Sequence, residues 1–272
     1  MSQVTPYKSR LDKGNACEMA LLSKLVYEKT SDTNQHPNES RILAMLKNHD
    51  GDYLSVEGFD NNSAQSMLVE HKEFIVMVFR GTNELKDWFD NIDVRPHEEL
   101  AGKFHKGFWL SLEDVWSGMM RSYQAMHAAQ RRPLFFTGHS LGGAIATVAA
   151  ARFAYSDWPF IATYTFGQPR AVHRDSETSV QSRIADRFHR FQNNSDIVTR
   201  VPARIMDYRH VGKCRYIETD KSIHTDPGKW FKFLDMLEGS FDKLKTFDGF
   251  DMIDDHSIEE YITAVEEWNL ED

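Results

Sequence analysis

The sequence predicts an α/β fold with a largely parallel central sheet flanked by helices on both faces. Three observations predict it. From Leu134 onward, short apolar runs alternate with helical patterns, and such alternation belongs to parallel strands joined by crossover helices. A turn of small residues, Thr137-Gly138-His139-Ser140-Leu141-Gly142-Gly143, joins one strand to one helix. The 272 residues are 41% hydrophobic and 27% charged, with no internal repeat or Pro/Gly/Ser linker. That composition supports one extensive core, so a single domain spanning 1–272 is the simplest organisation.

Taken in order, Ala16, Met19, Ala20, Leu22, Leu25 and Val26 recur at helical spacing and predict a first helix. Residues 66–69 and 74–79 read as an antiparallel strand pair across the polar turn 70–73. Residues 107–130 read as a long helix that ends before Pro133. Strands follow at 134–137, 161–166, 188–192 and 208–217. Helices are expected at 142–154, 176–187, 229–245 and 257–268.

Charge excludes some partners. Residues 228–272 hold 13 acidic residues and 4 lysines, which is the whole net charge of −9. No basic stripe supplies phosphate contacts, so nucleic acid is not expected as a partner. No run approaches the roughly 18 consecutive apolar residues of a membrane span. Residues 1–13 are not followed by an apolar segment with a cleavage site, which leaves cytoplasm and export without a conventional leader both open. Cys17 and Cys214 have no metal-ligand spacing and read as two buried thiols, with a single disulfide as the alternative.

Gly138-His139-Ser140-Leu141-Gly142 matches G-x-S-x-G between an apolar strand and a small-residue helix, the setting of a nucleophile elbow. A serine on so sharp a turn crowds the positions two before and two after it, where only hydrogen fits. The following helix points its partial positive charge at the hydroxyl.

A serine hydroxyl needs a base, and the base needs an orienting carboxylate. Downstream histidines are His173, His189, His210, His224 and His256. His189 and His210 fall within expected strands. His256 lies in a loop before the last helix and is preferred, with His224 as the other loop candidate. Asp196 follows the strand at 188–192, where sites in open α/β sheets cluster. Asp207, Asp220 and Asp226 are its rivals.

Five ordered blocks extend the pattern: Phe79-Arg80-Gly81-Thr82, His105-Lys106-Gly107-Phe108, the turn at Ser140, Thr165-Phe166-Gly167-Gln168-Pro169-Arg170, and Asn194-Ser195-Asp196-Ile197-Val198. With Asp255-His256-Ser257 and Tyr261, this set resembles the class 3 (fungal-type) lipases of the α/β-hydrolase fold. The resemblance implies a serine ester hydrolase, a lipase acting on acylglycerols, with the triad Ser140, Asp196 and His256. A phospholipase A1, a feruloyl-type esterase, an acyltransferase and a non-catalytic hydrolase-like binding module are the alternatives. It places the oxyanion hole at the Leu141 N–H and at Thr82. It implies no cofactor and no metal and a lipid or ester substrate, with action at a lipid–water interface left open.

Leu85, Trp88, Phe89 and Ile92 recur at i, i+3, i+4 and i+7 among polar residues, which predicts a short amphipathic helix. In the resembling family this position is a lid, so residues 83–95 are expected to cover the site. Asp248, Asp251, Asp254 and Asp255 lack the spacing of a calcium loop. They read as a solvated acidic surface that favours neutral glycerides over phospholipids. Acyl-chain length, regioselectivity and oligomeric state are left open by the sequence.

Overall fold

The computed structural model describes residues 3–31, 33–62, 64–82, 93–99, 102–194, 196–225 and 256–268. The chain opens with helices α1 (Lys13–Leu25) and α2 (Glu39–His49), then strands β1 (Tyr53–Asn61), β2 (Ala64–His71) and β3 (Ile75–Phe79). Strands β4 (Pro96–Glu99) and β5 (Gly102–His105) precede the long helix α3 (Lys106–Ala129). Next come β6 (Leu134–His139), α4 (Leu141–Tyr155), β7 (Ala162–Phe166), β8 (Val172–His173) and α5 (Arg174–Ile184). The remainder comprises β9 (Phe188–Asn193), β10 (Tyr208–Arg209), β11 (Lys213–Ile217), β12 (Ile223–Thr225) and α6 (Ile258–Glu267).

Among the described residues, eight strands form the main sheet in the order β1-β2-β3-β6-β7-β9-β11-β12. The run β3-β6-β7-β9-β11 is parallel, while β1, β2 and β12 attach antiparallel at the two edges. The period of two along each strand sorts side chains to opposite faces. Ile75, Met77, Phe79, Leu134 and Phe136 join α3, α4 and α5 in one core. Val76, Val78 and Phe135 join α1, α2 and α6 in the other. Parallel strands buried on both faces account for the near-continuous apolar runs of β3 and β6.

Side-chain caps begin several helices. Asp12 accepts from the Asn15 N–H at 3.0 Å, and Asn38 from the Arg41 N–H at 3.2 Å. Ser257 accepts from the Glu259 N–H at 3.3 Å, with Glu259 and Glu260 in the first turn of α6. Each leaves one fewer orphan donor at a helix start. No helix among the described residues is long and apolar enough to cross a membrane.

Two expectations are corrected. The segment 208–217 is not one strand. Gly212 takes φ +82, and a Cβ there would lie 2.4 Å from the Phe188 ring. The chain therefore breaks, β10 pairs with β8, and β11 pairs with β9. His210 accordingly lies between strands. The second, four-stranded antiparallel sheet, β10-β8-β5-β4, has no counterpart among the sequence expectations. The helix expected at 229–245, the acidic cluster at 248–255, and lid residues Leu85, Trp88, Phe89 and Ile92 lie outside the described residues. Cys17 and Cys214 are unbridged.

Candidate active site

The turn after β6 is built by exclusion. A Cβ on Gly138 would lie 2.4 Å from the carbonyl carbon of Gly142, and one on Gly142 would lie 2.0 Å from the Phe79 carbonyl oxygen. Only glycine lets α4 start so close to β3 and β6. Ser140 is held in the left-handed region at φ 57, ψ −132, a strained conformation that functional serines often occupy. Its N–H donates to the Phe166 carbonyl at 2.9 Å, tying the turn to β7. Its hydroxyl is buried.

The base and acid arrive from elsewhere. Asp196 follows β9, fully buried, with its N–H donating to Asn193 O at 3.2 Å. Its Oδ1 accepts the Val198 N–H at 2.9 Å. Its Oδ2 accepts the Tyr261 hydroxyl at 2.5 Å and lies 2.8 Å from His256 Nδ1. A carboxylate only accepts, so Nδ1 carries the hydrogen and Nε2 is the basic nitrogen. Burial, and then the Asp196 charge, push the Tyr261 phenol well above its ordinary value, so it stays a donor.

His256 Nε2 and Ser140 Oγ are both buried, and neither has a hydrogen-bond partner among the described residues. Catalytic hydrogen bonds of this kind commonly form only when substrate is present. Gly167, between them and β7, has φ +61. A Cβ there would lie 2.8 Å from Asp196 Oδ2 and 2.9 Å from His256 Nδ1. The breaker in the sequence is therefore also the space the acid–base pair occupies.

The rival residues are engaged elsewhere. His224 is exposed and lies 3.5 Å from Glu218. His189 faces the Ser9 carbonyl at 3.0 Å, and burial pushes its pKa down to about 4. His210 faces the Thr199 carbonyl at 2.7 Å, and His173 caps α5. Asp207 pairs with Arg174 at 3.0 Å, and Asp220 binds Ser222. Asp226 lies outside the described residues.

The oxyanion candidates flank the serine. Leu141 is the first residue of α4, so its N–H has no carbonyl one turn earlier. A Cβ on Gly81 would lie 2.9 Å from Ser140 Cβ, which brings the Gly81–Thr82 peptide alongside the nucleophile. Thr82 itself is half-buried.

Two further residues at the site are not among the sequence candidates. His139 Nε2 lies 2.7 Å from the His256 carbonyl, and Tyr27 Oη lies 3.0 Å from His139 Nδ1. His139 stands inside the motif; Tyr27 carries no signal beyond its place after the first helix. One acid–histidine group among the described residues has metal-ligand spacing, namely Asp50, Asp52 and His71. His71 Nδ1 accepts the Glu73 N–H at 3.1 Å, which leaves the hydrogen on Nε2, 3.4 Å from Asp50 Oδ2. A protonated Nε2 is no ligand, and this nitrogen has no hydrogen-bond partner among the described residues, so the group does not read as a cation site.

Residues 76–206 match the family described as Lipase (class 3). "Secreted mono- and diacylglycerol lipase 1" of Fusarium solani is 34% identical over 143 residues, covering 51% of this chain and 42% of its own length. "Phospholipase A1-II 1" of Oryza sativa subsp. indica is 27% identical over 190 residues, covering 60% and 48%. The chain thus spans less than half the length of both relatives. Among solved structures, a Rhizomucor miehei lipase propeptide complex aligns with TM-score 0.64 at 21% identity, covering 76% of this chain and 67% of that one. A mutant form of MDLA from Penicillium cyclopium aligns with TM-score 0.63 at 19% identity, covering 79% and 85%. These likenesses carry the α/β-hydrolase fold, and residues 76–206, just under half of this chain, match the class 3 lipase family.

Proposed function

We propose that this chain is a serine carboxyl-ester hydrolase that cleaves acylglycerol esters, a lipase, and that residues 1–272 act as one domain. The observation that carries the proposal is the buried His256–Asp196 pair, which leaves Nε2 unpartnered, together with a strained, equally unpartnered Ser140 hydroxyl. Ser140 Oγ attacks the ester carbonyl while His256 Nε2 takes its proton, and Asp196 stabilises the imidazolium. The Leu141 N–H and Thr82 donate to the oxyanion, each such donor lowering the barrier by about 2.7–4 kcal/mol. His256 returns the proton to the leaving alcohol. Water then attacks the acyl-enzyme by the same route and releases the acid. Protein groups and water suffice for every step.

Acylglycerol specificity draws on the mono- and diacylglycerol lipase relative and on the apolar positions Leu85, Trp88, Phe89 and Ile92, which suit a lid over a lipid-binding groove. A phospholipase A1 reading is favoured by the rice relative, which matches the larger share of this chain. Initial rates on diacylglycerol emulsion, triacylglycerol emulsion and phosphatidylcholine vesicles separate the two. The expected order is acylglycerol above phosphatidylcholine, and the reverse order transfers the chain to the phospholipases. A fluorophosphonate probe should label wild type one-to-one and fail on Ser140→Ala. Folded wild type that takes up no label removes the nucleophile.

A further inference from the structure

His139 takes no part in the steps above, yet both its ring nitrogens are committed. Nε2 lies 2.7 Å from the carbonyl oxygen of His256 and Nδ1 lies 3.0 Å from Tyr27 Oη. A carbonyl only accepts, so Nε2 carries the hydrogen. Nδ1 is then a lone pair, and the Tyr27 hydroxyl donates to it. The His139 and His256 rings lie 4.6 Å apart, tilted by 33°. Tyr27 is itself held in place. The Arg80 guanidinium carbon sits 5.3 Å from its ring centroid, and Arg80 donates to both oxygens of Gln35 at 3.2 and 3.0 Å. A Cβ on Gly81 would meet Tyr27 Oη at 2.3 Å.

We propose that Tyr27 and His139 form a positioning relay for the general base. Tyr27 fixes the tautomer of His139, and His139 anchors the main chain of His256 to the peptide that carries Ser140. The inference rests on Ser140, His256 and Asp196 being the catalytic groups.

Asp196 alone does not settle the position of His256. Its hydrogen bond to Nδ1 limits ring rotation, but Asp196 stands on a different loop from the nucleophile. His139 is the residue next to Ser140. Its hydrogen bond therefore ties base to nucleophile through one peptide unit and one contact. Rates depend steeply on that separation, about a hundredfold for a misplacement near 1 Å.

Charge supports the same role. His256 becomes cationic as it takes the serine proton, and a second cation 4.6 Å away would oppose this. Burial, and then His256 itself, push His139 well below its ordinary pKa, so it stays neutral. The other titratable groups facing it are the phenols of Tyr27 and Tyr261, the latter ring 6.1 Å away. Glu259 and Arg80 reach this group through Tyr27.

The test uses Tyr27→Phe, His139→Phe and His139→Gln in the full chain, each checked by thermal melting. Readouts are the fluorophosphonate labelling rate, and kcat and KM on p-nitrophenyl butyrate. His139→Phe should lower labelling rate and kcat about tenfold to a hundredfold while KM stays nearly constant. Gln presents an acceptor and a donor at similar spacing, so His139→Gln should restore most of the loss. Tyr27→Phe should fall between them. With ¹⁵N-labelled imidazole, wild-type His139 should show a single neutral Nε2–H tautomer from about pH 8 to 5.5, and Tyr27→Phe a mixture. Wild-type labelling rates in a folded His139→Phe overturn the relay. If that variant does not fold, a wild-type labelling rate and an unmixed tautomer in Tyr27→Phe overturn it instead. Wild type that is not labelled at all removes the catalytic assignment and the relay together; labelled wild type with unaffected variants removes the relay alone.

Discussion

Ser140 sits on one short turn between β6 and α4, where Gly138 and Gly142 meet backbone at closest approach. Asp196 and His256 instead stand 60 residues apart, on separate loops, and meet through side chains: Nδ1 to Oδ2, Tyr261 Oη to Oδ2, and the Val198 N–H to Oδ1. The first region is fixed by sterics, so a single extra carbon breaks it. The second is a hydrogen-bond network, in which losses come in steps. The nucleophile is thus specified by what its neighbours lack, and the acid–base arm by what its neighbours donate.

Removing the centre of the network should have the largest effect. Asp196→Asn offers an NH₂ where His256 Nδ1–H needs an acceptor, which drives the hydrogen to Nε2. That tautomer cannot take the serine proton, and kcat should fall about ten-thousand-fold with the fold intact. Retention of a tenth of the activity would mean that Asp196 does not orient the base. In the steric region, Gly142→Ala places a carbon 2.0 Å from the Phe79 carbonyl. Overpacking of this kind should cost about 1–3 kcal/mol or more in urea unfolding, and activity should fall together with folded yield. A normal urea midpoint would show that α4 can shift away from β3.

Tyr261→Phe tests the graded character of the arm. It removes one of the donors to Asp196 and leaves the His256 contact and the Val198 N–H. A hydrogen bond to a charged group is worth about 1.5–3 kcal/mol. The expected result is a loss of stability of that order, with kcat reduced far less than in Asp196→Asn. A kcat as low as in Asp196→Asn would make the arm as brittle as the turn.

The two regions also differ in how much of them the sequence displays. The turn is legible because its constraint is local: strand, Gly-x-Ser-x-Gly and small-residue helix all fall within residues 134–155. Asp196 and His256 have credible rivals in Asp207 and His224 until the ordered blocks are considered together. Tyr27 is invisible, because its role depends on α1 packing against β6 across more than a hundred residues. Helix α2 is hidden for a similar reason, burying only Ile42 and Leu46. The false strand over 208–217 arises because β-prone residues such as Tyr208, Val211, Tyr216 and Ile217 flank Gly212, whose positive φ sends the two halves to different sheets.

The smallest expected effect concerns pH, and it joins the two regions. Each holds one neutral histidine as a clamp on a carbonyl: buried His139 on His256, and half-buried His210 on Thr199 beside Asp196. Burial, with Arg190 and Arg170 nearby, pushes His210 well below its ordinary value. A depressed folded-state pKa means that the unfolded chain binds the proton first as pH falls through about 6.5. Stability is therefore complete above that pH and drains away below it. His210→Gln keeps a donor for Thr199 O and binds no proton. The urea midpoint of this variant should fall less between about pH 7.5 and 5 than that of wild type. Equal falls would leave the acid sensitivity with the other depressed histidines, His139, His189 and His105.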